Sequence, residues 1–120
     1  MNTKNKVVAG ILLGVVILGW MLFRDRTPDT TYAAFAQCLA SKEITMYGAE
    51  WCPHCQNEKH AFGDSFKYVP YVECPDNPNL CLEKGIEGYP TWLFPDGTRL
   101  EGEQGLERLS TASGCALPAQ

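Results

Sequence analysis

The sequence predicts an α/β domain that follows a single membrane-spanning helix. Three observations support this prediction: a long apolar block near the N-terminus, short strand patterns that alternate with helical ones, and a hairpin turn near the C-terminus. The chain has 120 residues, enough for one small domain beside the apolar block. Its net charge of −4 makes nucleic acid a poor partner, so we expect none.

The apolar block, residues 7–23, is uncharged and as a helix would span roughly 25 Å of a hydrocarbon core about 30 Å thick. Lys6 and Arg24 flank it and can extend their charges to the membrane surface, where Trp20 also fits. We therefore expect an uncleaved anchor. A cleaved signal peptide is the alternative, because residues 34–36 form a small-x-small site, although this site lies far beyond the block.

The domain boundaries follow from this anchor. Residues 1–6 are expected in the cytoplasm, because two lysines and the free amino group slightly outweigh two arginines and Asp25 at the other end. A polar linker is expected at 24–30, the folded domain at 31–116 and a tail at 117–120. The domain then lies on the extracytoplasmic side (periplasmic, extracellular or thylakoid-lumenal), where six cysteines suit an oxidising medium.

Local patterns within the domain predict the order helix, strand, helix, strand, short helix, strand, strand, helix. An alanine-rich helix capped by Thr30 or Thr31 comes first, and a β-branched strand at residues 44–47 leads into a cysteine motif. The strand YVEC follows Pro70, which predicts a sheet edge because proline cannot donate to a ladder. TWLFPDGTRLEG predicts a hairpin, and a last helix is expected at about residues 103–111.

The cysteine motif is Cys-Pro-His-Cys, preceded by Trp51. Pro53 suits the first position of a helix, so Cys52 is expected at a helix N-terminus, where free N–H groups and the helix dipole favour the thiolate. Cys55 lies one turn later on the same face, within reach of a disulfide. His54, when protonated, favours the thiolate further and makes the disulfide a stronger oxidant. The motif therefore predicts a redox pair in which Cys52 exchanges and Cys55 resolves.

Two other interpretations of the motif stay open. A structural disulfide would gain little from closing so small a loop. A zinc site would need four ligands, and the sequence offers Cys52, Cys55, Cys74 and Cys81 with a histidine in reserve. The second pair is spaced more widely than in most zinc sites, and Pro53 stiffens the first pair. We expect no bound metal and no cofactor.

The chain resembles the thioredoxin superfamily through Trp-Cys-Pro-His-Cys after a strand and Gly-Tyr-Pro-Thr before a later one. The stretches FAQCLASK, MYGAEWCPHCQ, VPYVECPDN and GIEGYPTW are similar to the thioredoxin-like domain fused to bacterial and plant homologues of vitamin K epoxide reductase. The resemblance covers residues 35–115. It implies the thioredoxin fold, with a four-stranded mixed sheet flanked by helices, and thiol–disulfide oxidoreductase activity.

In that family the membrane part passes electrons to quinone and re-oxidises the thioredoxin-like domain, which oxidises client proteins that contain cysteines. Here a single predicted anchor helix stands in its place, so re-oxidation is expected from a separate membrane partner similar to vitamin K epoxide reductase. A thiol reductase that receives electrons across the membrane is the alternative within the fold. A metal-binding or assembly factor is the alternative from another class.

The resemblance also makes Pro90 a cis-proline that faces the active disulfide. A proline at this position has no N–H to compete for the substrate backbone, and it keeps a metal out of the site. Tyr89 and Thr91 flank it and, with Trp51, are expected to shape the groove that holds a client.

Proton transfer at the site departs from the family pattern. Many thioredoxins carry a buried acid six residues before the first active cysteine, and this chain has Met46 there. The proton of Cys55 must then pass to water, Glu50 or another group.

The other four cysteines are candidates for structural disulfides. Cys74 and Cys81 flank a turn, and a bridge between them would contribute roughly 2.5 kcal/mol by closing a short loop. A second redox shuttle pair is the alternative. Cys38 and Cys115 can pair and hold the C-terminal end of the domain, or one of them can form a mixed disulfide with a partner.

Overall fold

The computed structural model describes residues 2–23 and 28–119. The predicted linker at 24–30 is therefore covered only in part, and Met1, Arg24 and Gln120 lie outside the described residues. The elements in chain order are α1 (Thr3–Phe23), α2 (Ala33–Ser41), β1 (Thr45–Gly48), α3 (Pro53–Phe62), a 3₁₀ helix (Gly63–Tyr68), β2 (Tyr71–Glu73), a second 3₁₀ helix (Cys74–Asp76), α4 (Pro78–Glu83), β3 (Thr91–Leu93), β4 (Arg99–Glu101) and α5 (Leu106–Ser113).

The four strands form one mixed sheet in the order β2-β1-β3-β4. β1 pairs parallel with β2 and antiparallel with β3, and β3 and β4 form the predicted antiparallel hairpin. β2 is an edge strand, and Pro70 precedes it, as the sequence predicted. The predicted fold class, a four-stranded mixed sheet flanked by helices, is confirmed.

Strand side chains alternate between the two faces of the sheet and divide the core into two clusters. The larger cluster contains Met46 of β1 and Trp92 of β3, neither of which has any exposed surface. Helices α2, α3 and α5 also contribute side chains to it, among them Phe35, Ala36, Leu39, Phe62 and Leu109. The smaller cluster contains Tyr47 of β1 with Cys74 and Cys81. Each large apolar side chain buried in this way stabilises the fold by about 1.5–3 kcal/mol.

The start of α2 differs from the prediction. Tyr32 is the N-cap residue, and no side chain forms a capping hydrogen bond there, so neither Thr30 nor Thr31 is the cap. Thr31 instead donates from its N–H and its hydroxyl to Oδ1 of Asp29, at 3.2 and 2.8 Å. This local turn uses the hydroxyl that would otherwise have capped the helix.

The last helix begins at Leu106 rather than near residue 103 and ends at Ser113. Its N-cap is Gly105, whose φ of 76° is a conformation that glycine adopts without strain. The N–H groups of Gln104 and Gly105 donate to the buried carboxylate of Glu58, at 2.7 and 2.8 Å. The chain therefore turns around Glu58 before it enters α5.

α1 extends the predicted apolar block toward the N-terminus, and none of its described side chains is buried. It has 21 residues and a length of about 32 Å as an α-helix. Its length and composition suit a membrane span, and a signal sequence near an N-terminus would have the same properties.

Candidate functional site

Cys52 is placed by the start of α3. It is the N-cap residue of the helix, and Pro53 is the first helical residue, as the sequence predicted. The Sγ atom of Cys52 accepts from the N–H of Cys55 at 3.3 Å and donates to the carbonyl of Tyr89 at 3.7 Å. Both cysteines of the motif are free thiols in this structure. Sγ of Cys52 therefore lies at the positive end of the helix dipole.

Cys55 lies in a different environment, although it is one turn away on the same helix. Its side chain has no exposed surface, whereas Cys52 is 5% exposed. Burial, followed by the hydrogen bond to Cys52, raises the pKa of Cys55 to about 12, although the backbone of Ala49 and the charge of Lys59 act in the opposite direction. The thiol of Cys55 therefore stays protonated at neutral pH. The two environments match an exchanging sulfur and a resolving sulfur.

The aromatic residues around the motif provide the exposed part of the site. Trp51 is 68% exposed and packs edge-on against Tyr89, with ring centroids 6.0 Å apart. The Tyr89–Pro90 peptide bond is cis, and Pro90 is buried. Thr91 is also buried, and its hydroxyl donates to the carbonyl of Gly88 at 2.8 Å. The Thr91 side chain thus holds the turn before Pro90, and its part in shaping a client groove stays a prediction.

His54 is exposed and forms an ion pair that the sequence analysis missed. Its Nδ1 atom lies 2.9 Å from Oε2 of Glu103, which also accepts from the side chain of Asn57 at 3.3 Å. These hydrogen bonds, from His54 first and then Asn57, lower the pKa of Glu103. Glu103 is far from the motif in sequence, and no local pattern marks it.

Hydrogen bonds to Glu58 position Glu103 beside the cysteine motif. Its buried carboxylate accepts from the N–H groups of Gln104 and Gly105 and from the indole N–H of Trp92, the last at 3.2 Å. These bonds fix the loop between β4 and α5 against α3, so that Glu103 lies beside His54. The sequence gives one signal for Glu58: it follows Cys55 by three residues and therefore shares the inward face of the helix.

The remaining cysteines form two disulfides in the structure, Cys38–Cys115 and Cys74–Cys81. Cys74 and Cys81 are both buried. Their bond removes two of the four thiolates that a zinc site would have used. Within residues 2–23 and 28–119, no group of three or more His, Cys, Asp or Glu side chains is placed to hold a metal ion.

Comparisons with known proteins agree with this geometry. Residues 27–112 match the family model described as Thioredoxin. A stretch of 93 residues is 40% identical to the thiol-disulfide oxidoreductase LTO1 of Arabidopsis thaliana and covers 70% of this chain and 24% of that protein. A stretch of 81 residues is 34% identical to the protein disulfide isomerase-like 2-2 of Oryza sativa subsp. japonica and covers 56% of this chain and 22% of that protein. The chain spans about a quarter of the length of these relatives.

Proposed function

The chain belongs to the thioredoxin family, and on this premise we propose that it is a membrane-anchored thiol–disulfide oxidoreductase that forms disulfides in extracytoplasmic client proteins. The main support is the contrast between its two free thiols. Cys52 lies at the N-terminus of α3 beside the carbonyl of Tyr89, and Cys55 is buried one turn behind it. The exposed Trp51 and the adjoining Tyr89 provide an apolar surface on which a client can dock.

The proposed reaction begins from the oxidised pair. A client thiolate attacks Sγ of Cys52, and Cys55 leaves as a thiolate that takes up a proton. A second client thiolate then attacks the client sulfur of the mixed disulfide, and Cys52 leaves as a thiolate stabilised by the helix N-terminus. Two electrons pass from the client to the pair, so one client disulfide forms and Cys52 and Cys55 become thiols.

The direction of electron flow depends on what stabilises the reduced pair. The N-terminus of α3 and the cation of protonated His54 both favour the thiolate of Cys52, and anything that stabilises the reduced form raises the reduction potential. A raised potential makes the disulfide an oxidant of clients. We therefore favour client oxidation over the alternative, a reductase supplied with electrons across the membrane.

The ion pair between His54 and Glu103 gives a prediction about this potential. His54→Gly should lower the reduction potential at pH 6, because it removes the cation near Cys52. Glu103→Gln should raise the reduction potential, because it removes the negative charge that offsets the cation of His54. The rise should be at most about 20 mV, since the pair is exposed and screened by solvent. Equilibration with glutathione measures both shifts, and Glu107→Gln, which removes another exposed acid, is the control. Potentials that move together in the two variants would contradict this account of His54.

The membrane arrangement is part of the proposal. Residues 7–23 anchor the chain, residues 1–6 lie in the cytoplasm, and the linker at 24–30 leads to the catalytic domain at 31–116, with a tail at 117–120. A separate membrane protein similar to vitamin K epoxide reductase re-oxidises the pair. The single apolar helix and the two disulfides support an extracytoplasmic domain, because such bonds persist in oxidising compartments.

The topology has a direct test. Protease added to bacterial spheroplasts that express the full chain should digest the domain and leave a short membrane-bound fragment. A cytoplasmic marker protein must stay intact in the same sample. Digestion of the domain only after the spheroplasts are lysed would place it in the cytoplasm and contradict the proposal.

The activity is tested with the oxidised full chain in detergent and a reduced, unfolded client protein. The client should gain one disulfide for each Cys52–Cys55 pair that becomes reduced, as measured by thiol labelling and mass spectrometry. The double variant Cys52→Ser/Cys55→Ser sets the baseline. If the wild type oxidises the client no faster than this variant does, the proposed function is wrong.

A further inference from the structure

Cys55 must exchange a proton each time it leaves or attacks, and the structure lacks the acid that many thioredoxins place nearby. Met46 occupies that position and is completely buried, and its thioether cannot carry a proton. The side chain of Glu50 forms no hydrogen bond within the described residues, whereas its backbone N–H donates to Oε1 of Glu73 at 2.7 Å. The side chains around the sulfur of Cys55 offer the other candidates.

Gly48, the last residue of β1, has no side chain and so lets the phenol of Tyr71 lie near the sulfur of Cys55. A Cβ atom at Gly48 would lie 2.9 Å from Sγ of Cys55 and 3.4 Å from the hydroxyl oxygen of Tyr71. The thiol and the phenol thus line the same space beside Gly48, and no hydrogen bond joins them directly. A side chain at this position would separate the two groups.

A path to solvent continues from Tyr71. Its hydroxyl donates to Oε2 of Glu73, two residues along β2, and the Glu73 side chain is partly exposed. The Nζ atom of Lys59 lies 3.9 Å from the centroid of the Tyr71 ring. The ionisable groups that act on Cys55 are Cys52, at the N-cap of α3, and Lys59, within that helix. Tyr71 on β2 interacts with both Cys55 and Glu73.

We propose that Tyr71 and Glu73 form a proton relay between Cys55 and solvent. The proposal rests on the function given above, since the relay serves thiol–disulfide exchange. When Cys55 leaves as a thiolate, the phenol gives its proton to the sulfur, and a proton from solvent at the Glu73 carboxylate restores the phenol. When Cys55 attacks a mixed disulfide, its proton passes to the phenol oxygen while the phenol proton passes to the carboxylate of Glu73.

The ionisation of the groups suits these roles. Burial first, and then the hydrogen bond to Glu73, raise the pKa of Tyr71, so the phenol stays neutral and transmits a proton rather than storing it. The pKa of Cys55, about 12, leaves very little thiolate at neutral pH, so attack by Cys55 needs a proton acceptor. The cation of Lys59 stabilises the negative charge that develops on the sulfur.

The test follows the reaction of the reduced full chain, in detergent, with glutathione disulfide. Cys52 first forms a mixed disulfide with glutathione, and attack by Cys55 then resolves it. Acid quenching and mass spectrometry measure how much mixed disulfide is present at each time. Tyr71→Phe keeps the ring beside Lys59 and removes only the hydroxyl, and Tyr68→Phe is a matched control in which Lys67 lies 5.1 Å from an exposed ring.

We expect resolution at pH 7 to slow by about 10- to 100-fold in Tyr71→Phe, so that the mixed disulfide accumulates. Glu73→Gln, which keeps an acceptor for the backbone at Glu50, should behave in the same way. Tyr68→Phe should match the wild type. The deficit should shrink as the pH approaches the pKa of Cys55, because hydroxide then removes the proton directly.

Three outcomes would overturn the relay. The first is that Tyr71→Phe and Glu73→Gln resolve the mixed disulfide at the wild-type rate throughout the pH range. The second is a deficit that is equal at every pH, which would indicate a structural effect. The third is a wild-type chain that never exchanges with glutathione disulfide, and this outcome alone would also overturn the proposed function.

Discussion

Cys52→Ser should reduce thiol–disulfide exchange with a client by at least about 1,000-fold, because serine at the N-terminus of α3 offers no sulfur for attack. Cys55→Ser should instead accumulate mixed disulfides on Cys52, because the buried resolving thiol is gone. Non-reducing gels and mass spectrometry of both variants, incubated with a disulfide-containing client, measure the difference.

The double variant Cys52→Ser/Cys55→Ser provides the baseline for both measurements. The expected asymmetry comes from the environments of the two sulfurs, since Cys52 is at the helix end and Cys55 has no exposed surface. Trapped complexes that form with Cys52→Ser and not with Cys55→Ser would reverse the two roles.

Loss of the Cys38–Cys115 disulfide should destabilise the domain by about 4–5 kcal/mol. The bond joins residues 77 positions apart, and the entropy lost by the unfolded chain grows with the length of the loop that a disulfide closes. The Cys74–Cys81 bond spans 7 positions and should contribute only about 2–3 kcal/mol. The sequence left both pairings open, and the structure contains both.

The comparison uses two double variants of the full chain, Cys38→Ala/Cys115→Ala and Cys74→Ala/Cys81→Ala. Urea unfolding in detergent, followed by tryptophan fluorescence that includes the buried Trp92, gives the free energy of unfolding of each. Each variant is the control for the other, because each removes one bridge and leaves a methyl side chain at two cysteine positions. If the short bridge proved the more stabilising, loop entropy would not explain the contribution of Cys38–Cys115.

Sequence signals of short range predicted the elements and their order well. Pro53 marks the first residue of α3, and Gly63, whose φ of 57° suits a glycine, is its C-cap. Pro70 predicted that β2 is an edge strand, and the Pro-Asp-Gly turn predicted the hairpin. In each case the physical cause is a restriction on the backbone of one or two residues, which the sequence displays directly.

Contacts between distant segments could not be predicted in this way. His54 and Glu103 pair because Glu58 binds the loop between β4 and α5, which follows the hairpin and is distant from the motif in sequence. The approach of Tyr71 to Cys55 depends on the parallel pairing of β1 and β2. Both arrangements depend on strand register and on buried hydrogen bonds, which local propensity does not encode.

The predicted cap of α2 is wrong because of a local hydrogen bond that the sequence pattern did not reveal. Thr31 was expected to cap α2, but the carboxylate of Asp29 binds its hydroxyl first. The residue type was compatible with the predicted role, and a competing hydrogen bond decided the outcome.

Equilibration of the full chain with glutathione most directly tests the claim that Cys52 and Cys55 form a redox pair that oxidises clients. The ratio of dithiol to disulfide is measured across a series of glutathione buffers by thiol labelling and mass spectrometry. We expect a reduction potential of about −150 to −220 mV, above that of thioredoxin at about −270 mV. A potential below about −260 mV would contradict the oxidase and favour the reductase.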